Sequence, residues 1–252
     1  MGLLPDYSKQ AGHYDDTRSA SPSALRVLRR ALESAPGRRL LDIGGGTGNY
    51  TVALKRDGWE PAVVDRSPEM LARAAAKGLE TVQADAQRLP FADETFDAAT
   101  MISMLHHVDD QPAALAEARR VLKPGGRLAL MGFAREDAVS LWVLDYFPSS
   151  RRWIEATHPP RSVMLDLLPG AELLEFEFVD MCDASLAALS ADPGRVAHAA
   201  ERGETSYFER MQRDHPRELR AGIAQLRRDI AAGAVAARAG SATVLSWTKP
   251  AS

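Results

Sequence analysis

Short apolar runs alternate with amphipathic stretches over the first half of the chain. Runs at 40–43, 61–65, 81–84, 96–101 and 127–132, punctuated by Gly, Pro or acidic residues, predict strands. The stretches at 50–57, 68–77 and 112–122 predict helices. Ser67 caps the second and Gly78 stops it, and Pro124-Gly125-Gly126 ends the third. An earlier helix starts at Ser21-Pro22, an N-cap followed by proline at the first helical position; it carries Leu25, Leu28 and Leu32 on one face and stops at Pro36-Gly37. Strand–helix alternation at this spacing implies a parallel sheet covered on both faces. Right-handed crossovers then gather the C-terminal ends of the strands on one edge, where ligands bind.

After Gly132 the rhythm breaks. Residues 134–170 read as a mostly helical insert carrying Trp142, Tyr146, Phe147 and Trp153. Two further strands are expected at 173–181 and 243–248. Between them, 185–238 reads as a long polar helical region whose Ala/Arg-rich part, 221–239, suits a surface helix. There is no internal repeat and no low-complexity linker.

Composition narrows the function classes. The chain has 252 residues, a formal net charge of −3 and 45% apolar residues, enough for a sizeable core. A mildly acidic balance argues against a nucleic-acid partner, which favours a basic surface. The single cysteine, Cys182, has no intramolecular disulfide partner, and no CxxC or His/Cys cluster suggests a metal. Residues 1–16 show no basic-then-apolar leader pattern, and no apolar run approaches 18 residues. The expectation is a cytoplasmic protein with no membrane partner and no metal; the oligomeric state is left open.

Candidate chemistry begins at Asp42-Ile43-Gly44-Gly45-Gly46-Thr47-Gly48, where an apolar strand runs into a glycine turn and then a helix. Glycines permit positive φ and close approach of a ligand, and the turn amides favour an anionic group. A dinucleotide fingerprint would need glycines at 44, 46 and 49; position 49 is Asn. Asp65 ends the next strand, where a carboxylate can accept both hydroxyls of a ribose. Asp85 and Ala86 follow the third strand, an arrangement suited to an adenine edge.

Together these motifs resemble the class I S-adenosylmethionine-dependent methyltransferases, most closely the small-molecule group typified by ubiquinone and menaquinone biosynthesis methyltransferases. The resemblance spans residues 38–132, where DIGGGTG, VVD, ADAQRLPF, FDAATMISMLHHV and RVLKPGG stand in the family's order. It implies an α/β, Rossmann-like, seven-stranded, mostly parallel sheet with an antiparallel last strand and helical lid insertions. The segments 173–181 and 243–248 would then be strands six and seven of a single domain over 1–252, with lid or substrate elements in 1–20, 134–170 and 185–238.

The resemblance also implies S-adenosyl-L-methionine as cofactor. Gly44, Gly46 and Gly48 would face its methionine part, with Asp42 near the amino group and sulfonium. Asp65 would hold the ribose, Arg66 or Met70 would cover the adenine face, and Asp85 and Ala86 would read the adenine edge. Ile102 or Ser103 would line the cofactor beside the sulfur. The N-terminal Tyr14-Asp15-x-x-Arg18 resembles a lid segment that closes over the cofactor or the substrate, with His13 beside it.

Methyl transfer from a sulfonium needs the acceptor positioned and water excluded. A base helps only if the nucleophile must lose a proton; His106 and His107, just past strand four, are the candidates. Trp142, Tyr146 and Phe147 are expected to line an acceptor pocket, and the segment from Thr205 to Met211 to close its other wall. The acceptor expected is a small, partly apolar metabolite, taken at O, N or C, in a secondary-metabolic setting. A nucleic-acid methyltransferase would carry Asn/Asp-Pro-Pro-aromatic after strand four, where this chain has Ser103-Met104-Leu105-His106. The short-chain dehydrogenase pair Tyr-x-x-x-Lys is absent too. A cofactor-binding protein of the same fold with non-methyl chemistry or a regulatory role is the alternative reading.

Overall fold

The computed structural model describes residues 15, 19–132, 134–178 and 185–251. Helix α1 (Pro22–Leu32) precedes β1 (Arg39–Ile43), α2 (Asn49–Arg56), β2 (Glu60–Asp65), α3 (Pro68–Ala76), β3 (Glu80–Gln83) and β4 (Phe96–Ile102). A 3-10 turn (Leu105–His107) leads to α4 (Gln111–Val121) and β5 (Leu122–Gly132). The insert contains α5 (Arg135–Val139), a 3-10 turn (Trp142–Asp145), α6 (Pro148–Thr157) and α7 (Arg161–Leu167). It is followed by β6 (Glu172–Glu177), then α8 (Leu186–Leu189), α9 (Pro193–Arg202), α10 (Ser206–Asp214), α11 (Pro216–Ala231) and β7 (Ser241–Thr248).

The sheet runs β3-β2-β1-β4-β5-β7-β6. β1 to β5 pair in parallel, and β7 lies antiparallel between β5 and β6. The doubly wound arrangement and the antiparallel last strand are therefore as the sequence implied. Alternation along each strand sends side chains to opposite faces. Leu41 and Ile43 join Met101, Leu130 and Leu115 in one core, whereas Leu40 joins Ala98, Ala129 and the α1 residues Leu28 and Leu32 in another. A third core belongs to the C-terminal helices: Phe147, Phe208, Val196 and Leu226 are each fully enclosed there.

Four details depart from the sequence reading. β5 begins at Leu122, five residues before the expected start at 127, because Leu122 pairs with Phe96 before the register shifts to Ala98–Arg127. Pro124-Gly125-Gly126 is taken up as an irregularity inside the strand, with Gly125 at φ +76°. β6 ends at Glu177, and residues 179–184, with Cys182, lie outside the described residues. The polar helical region 185–238 is made of four helices divided by caps. Asp192 Oδ1 accepts from the amides of Gly194 and Arg195 at 2.9 and 3.2 Å, and Thr205 Oγ1 accepts from Phe208 at 3.1 Å. Finally, α11 is not merely a surface helix: Leu219, Gly222, Ile223 and Leu226 are buried at helical spacing. Among the described residues, no helix is long and apolar enough to cross a membrane.

Candidate functional site

The turn after β1 is built by its glycines. The amides of Gly44 and Gly45 donate to the Val64 carbonyl at 2.7 and 3.2 Å, which curls the chain back over β2. Gly44 and Gly46 take φ of +68° and +57°, where a Cβ is disfavoured. A Cβ on Gly44 would also meet the Met104 side chain at 2.9 Å, whereas one on Gly46 would meet nothing within 4 Å, so Gly46 borders open space. The Gly46 amide donates to Asp65 Oδ2 at 3.0 Å and the Ser67 amide to Oδ1 at 2.9 Å. Two backbone donors thus orient the Asp65 carboxylate and leave each oxygen a second lone pair for a ligand hydroxyl.

Behind the turn, Asp15 accepts from Thr47 Oγ1 at 2.6 Å and Asn49 Nδ2 at 3.0 Å and pairs with Lys77 at 2.9 Å. Burial works against the Asp15 charge, yet the hydrogen bonds from Thr47 and Lys77 and the Lys77 charge hold its carboxyl below the ordinary carboxylate range. Asp15 is the one described residue of the stretch 13–18; His13, Tyr14 and Arg18 lie outside the described residues.

Asp42 is the buried acid of the site, 2% exposed. Thr51 and Thr100 donate to its two oxygens, the latter at 2.8 Å. Burial, aided by the nearby Asp65 charge and opposed by the two threonines, pushes its carboxyl up to about 6. A carboxyl raised on folding holds a proton that the unfolded chain has already lost, between roughly pH 4 and 6. Its contribution to stability is therefore lost as pH rises through that window. Asp42→Asn, which cannot titrate, should gain stability relative to wild type across it. Urea unfolding of both proteins from pH 4 to 7 reads the difference, and a difference independent of pH would refute the buried-proton account.

The other strand ends complete the wall. Asp85 Oδ1 accepts from the Gln87 amide at 2.9 Å, and Asp85 and Ala86 border the same cavity as Arg66 and Met70. Ile102 and Ser103 leave β4 at its rim, Ser103 in the left-handed region at φ +51° with its amide on the Met131 carbonyl at 2.7 Å. A non-glycine residue held there is strained and is retained by its surroundings. The expected cofactor set Asp42, Gly44, Gly46, Asp65, Arg66, Met70, Asp85, Ala86, Ile102 and Ser103 is thus gathered on one cavity of about 640 Å³. Gly48 is the exception: it stands behind the turn, where a Cβ would strike Leu79.

From the strand ends the cavity continues under the C-terminal helices, past His106, His107 and Asp109, to Ala138, Leu141, Trp153, Ile154, His158, Leu186, Thr205 and Tyr207. His106 and His107 sit on the 3-10 turn after β4 with ring centroids 3.8 Å apart. His158 stacks on His106 at 4.8 Å, the planes inclined by 13°. Burial and the Arg135 charge, against a hydrogen bond with the Ile154 backbone, push His158 down to about 4, so it is neutral at pH 7. Among the described residues, no group of three or more His, Cys, Asp or Glu is placed to hold a metal ion.

The expected acceptor wall needs correcting. Trp142, Tyr146 and Phe147 do not border the cavity. Trp142 Nε1 donates to the Ser190 carbonyl, Tyr146 Oη donates to Asp229 at 2.9 Å, and Phe147 is fully buried against Tyr207 and Phe208. A cluster of aromatic residues in the sequence does not by itself distinguish a core from a cavity. Tyr146→Phe should cost about 1 kcal/mol of stability, the usual worth of one hydrogen bond, and leave ligand affinity unchanged; a melting curve beside a calorimetric titration checks both. Trp153, Thr205 and Tyr207, flagged in the sequence, do border the cavity. His158, just before Pro159-Pro160, is brought there by the end of α6. Asp110 caps α4 through the Ala113 amide at 3.0 Å, whereas Asp109 lines the cavity.

Comparison with known proteins agrees with this geometry. Residues 41–130 match the family described as Methyltransferase domain. A demethylmenaquinone methyltransferase of Mycobacterium bovis is 44% identical over 109 residues, 43% of this chain and 47% of the relative. The chain spans about half the length of the curated relatives it matches. A crystal structure from Anabaena variabilis, described as a methyltransferase from an antibiotic biosynthesis pathway, superposes with a TM-score of 0.75 at 22% identity, covering 91% of this chain and 98% of the other. A Thermotoga maritima structure, described as an S-adenosylmethionine-dependent methyltransferase and a possible histamine N-methyltransferase, does so with a TM-score of 0.57 at 26% identity, covering 71% and 86%.

Proposed function

We propose, from the premise that this chain is built on a class I S-adenosylmethionine-dependent methyltransferase domain, that it transfers a methyl group from S-adenosylmethionine to a small, partly apolar acceptor. The observation that carries the reading is a single cavity that joins the glycine turn, Asp65 and Asp85 to a flat-walled, largely apolar end lined by Leu141, Ile154, Trp153 and His158.

The residues fit the cofactor. Asp65 offers two oriented oxygens to ribose hydroxyls, the open face at Gly46 leaves room for a backbone-hugging chain, and Asp42 supplies a carboxylate for an ammonium group. Asp85 and Ala86 suit the adenine edge, and Met70 its apolar face. When bound, the cofactor supplies an electrophilic methyl on a sulfonium. The chain's own work is to orient the acceptor against it and exclude water with the helices that close the cavity. For an acceptor that must lose a proton, His106 or His107 takes it. A planar quinone-type ring, like the acceptor named for the mycobacterial relative, is one acceptor the flat walls accommodate.

Calorimetric titration with S-adenosylmethionine, S-adenosylhomocysteine and NAD tests the cofactor; a preference for NAD would sink the proposal. Incubation with candidate metabolites and labelled cofactor, read as a mass gain of one methyl group, separates an enzyme from a binding protein of the same fold.

A further inference from the structure

The chain departs from a dinucleotide fingerprint at Asn49, and the fold gives that side chain a task. Its amide is held from both ends behind the glycine turn: Nδ2 donates to Asp15 Oδ1 at 3.0 Å, and Oδ1 accepts from Lys77 Nζ at 2.6 Å. A carboxylate only accepts and an ammonium only donates, so the amide has one orientation that satisfies both. The other protons of the Lys77 ammonium go to the Thr47 carbonyl at 2.9 Å and to Asp15 Oδ2 at 2.9 Å. Asp15 Oδ1 also accepts from the hydroxyl of Thr47 at 2.6 Å, and Thr47 is only 1% exposed, so its hydroxyl needs that partner. Arg73 adds a second cation 3.8 Å from Asp15 Oδ2. Gly48, which caps α2, has no side chain to offer, and Asp15 supplies the negative charge that a helix start favours. Asp15, Thr47, Asn49 and Lys77 thus close into one node, with each donor matched to an acceptor.

The node reaches the cavity only through the turn. Thr47 and Asn49 border the cavity beside Gly44, Gly45 and Gly46, whereas Asp15 and Lys77 do not. A glycine-rich turn has more conformational freedom to lose than any other backbone, so something must fix it before a ligand arrives. Here Lys77 holds the carbonyl of Thr47 and Asp15 its hydroxyl, between the left-handed Gly46 and Gly48. We propose that Asp15 and Lys77 are positioning residues for the cofactor turn. They touch no ligand themselves; by holding Thr47 and Asn49 they preset the backbone that receives the amino-acid half of S-adenosylmethionine. This rests on the methyl-transfer reading of the cavity and deepens it, because it makes a residue ahead of α1 a determinant of cofactor affinity. The adenosine half depends on the node far less: Asp85 lies outside it, and the Ser67 amide still orients Asp65 when the turn loosens.

The test compares S-adenosylhomocysteine with methylthioadenosine, which keeps the adenosine and the sulfur but lacks the amino acid. Both are titrated calorimetrically into the full chain and its variants. Asp15→Ala should weaken S-adenosylhomocysteine about tenfold, the fold-change of one net hydrogen bond, and leave methylthioadenosine unchanged. Lys77→Met should do the same, and the double variant should be no weaker than either single one, because each substitution breaks the same node. Asp15→Asn, whose amide oxygen can still accept from Thr47 but carries no charge, should recover part of the loss. If Asp15→Ala fails to fold, Asp15→Asn decides by the same ratio of affinities. Unchanged S-adenosylhomocysteine binding, an equal loss of both ligands in a folded variant, or additive losses in the double variant would each overturn the proposal. A wild type that binds neither ligand overturns the cofactor reading itself, and the proposal with it. Failure of the node alone leaves wild-type binding intact, so the two failures are distinguishable.

Discussion

Replacing Asp65 by Ala should weaken S-adenosylhomocysteine binding by two to three orders of magnitude. The carboxylate is oriented by the amides of Gly46 and Ser67, one on each oxygen, which leaves a lone pair on each for the ribose hydroxyls of the proposed cofactor. Two charge-assisted hydrogen bonds at about 1.5–3 kcal/mol each account for the size of the loss. The same substitution strips the Gly46 amide of its acceptor and loosens the turn, which adds to the effect. Asp65→Asn separates the two contributions: it keeps an acceptor for one of the two amides but removes the charge and half of the hydroxyl-binding capacity. It should fall between wild type and Asp65→Ala. A calorimetric affinity for Asp65→Ala within threefold of wild type refutes the ribose role.

The second large effect concerns turnover. With an acceptor identified by mass gain, and at saturating cofactor, the double substitution His106→Ala, His107→Ala should lower the rate by about 10²–10⁴-fold, the usual contribution of a positioned base. The geometric grounds are that both rings border the cavity where the strand ends meet its apolar half, and that they sit 3.8 Å apart on one turn. The single variants tell which ring takes the proton. S-adenosylhomocysteine affinity should be little changed, because the turn and Asp65 are untouched. An unaltered rate in all three variants removes both histidines from the chemistry, as would be the case for an acceptor with no proton to lose.

Much of the cofactor half was legible in the chain. Asp42, Asp65 and Asp85 close or follow apolar runs in a βα rhythm, and parallel pairing brings every such strand end to one edge without further information. Gly44 and Gly46 were legible because positive φ at the close of a strand is a backbone demand that few side chains meet. The strand boundaries were less so. Leu122 joins β5 because Phe96 offers it a partner, and Pro124-Gly125-Gly126 reads as a stop whether or not pairing resumes beyond it.

The helical half misled where periodicity was the only guide. Leu144 and Phe147 stand three residues apart, a spacing that suits a helix packed on a core as well as one lining a pocket, yet Leu144 lies on a 3-10 turn and Phe147 precedes α6. What separates core from pocket is Tyr207 and Phe208, some sixty residues on, filling the space that Phe147 faces. Tyr146 is claimed by Asp229, and Trp142 by the Ser190 carbonyl, across similar distances in sequence. His158 carried no signal of its own; its place against His106 depends on Thr157, Arg135 and a turn at the far end of β4.

The sequence by itself therefore determined the parallel scaffold and the acids and glycines of its ligand edge, because strand period, turn stereochemistry and crossover handedness are local rules that act the same in any context. Only the tertiary structure decided which aromatic and imidazole rings wall the acceptor end. That choice is made by non-local packing, in which a ring becomes core if a distant side chain fills the space before it and a cavity wall if none does.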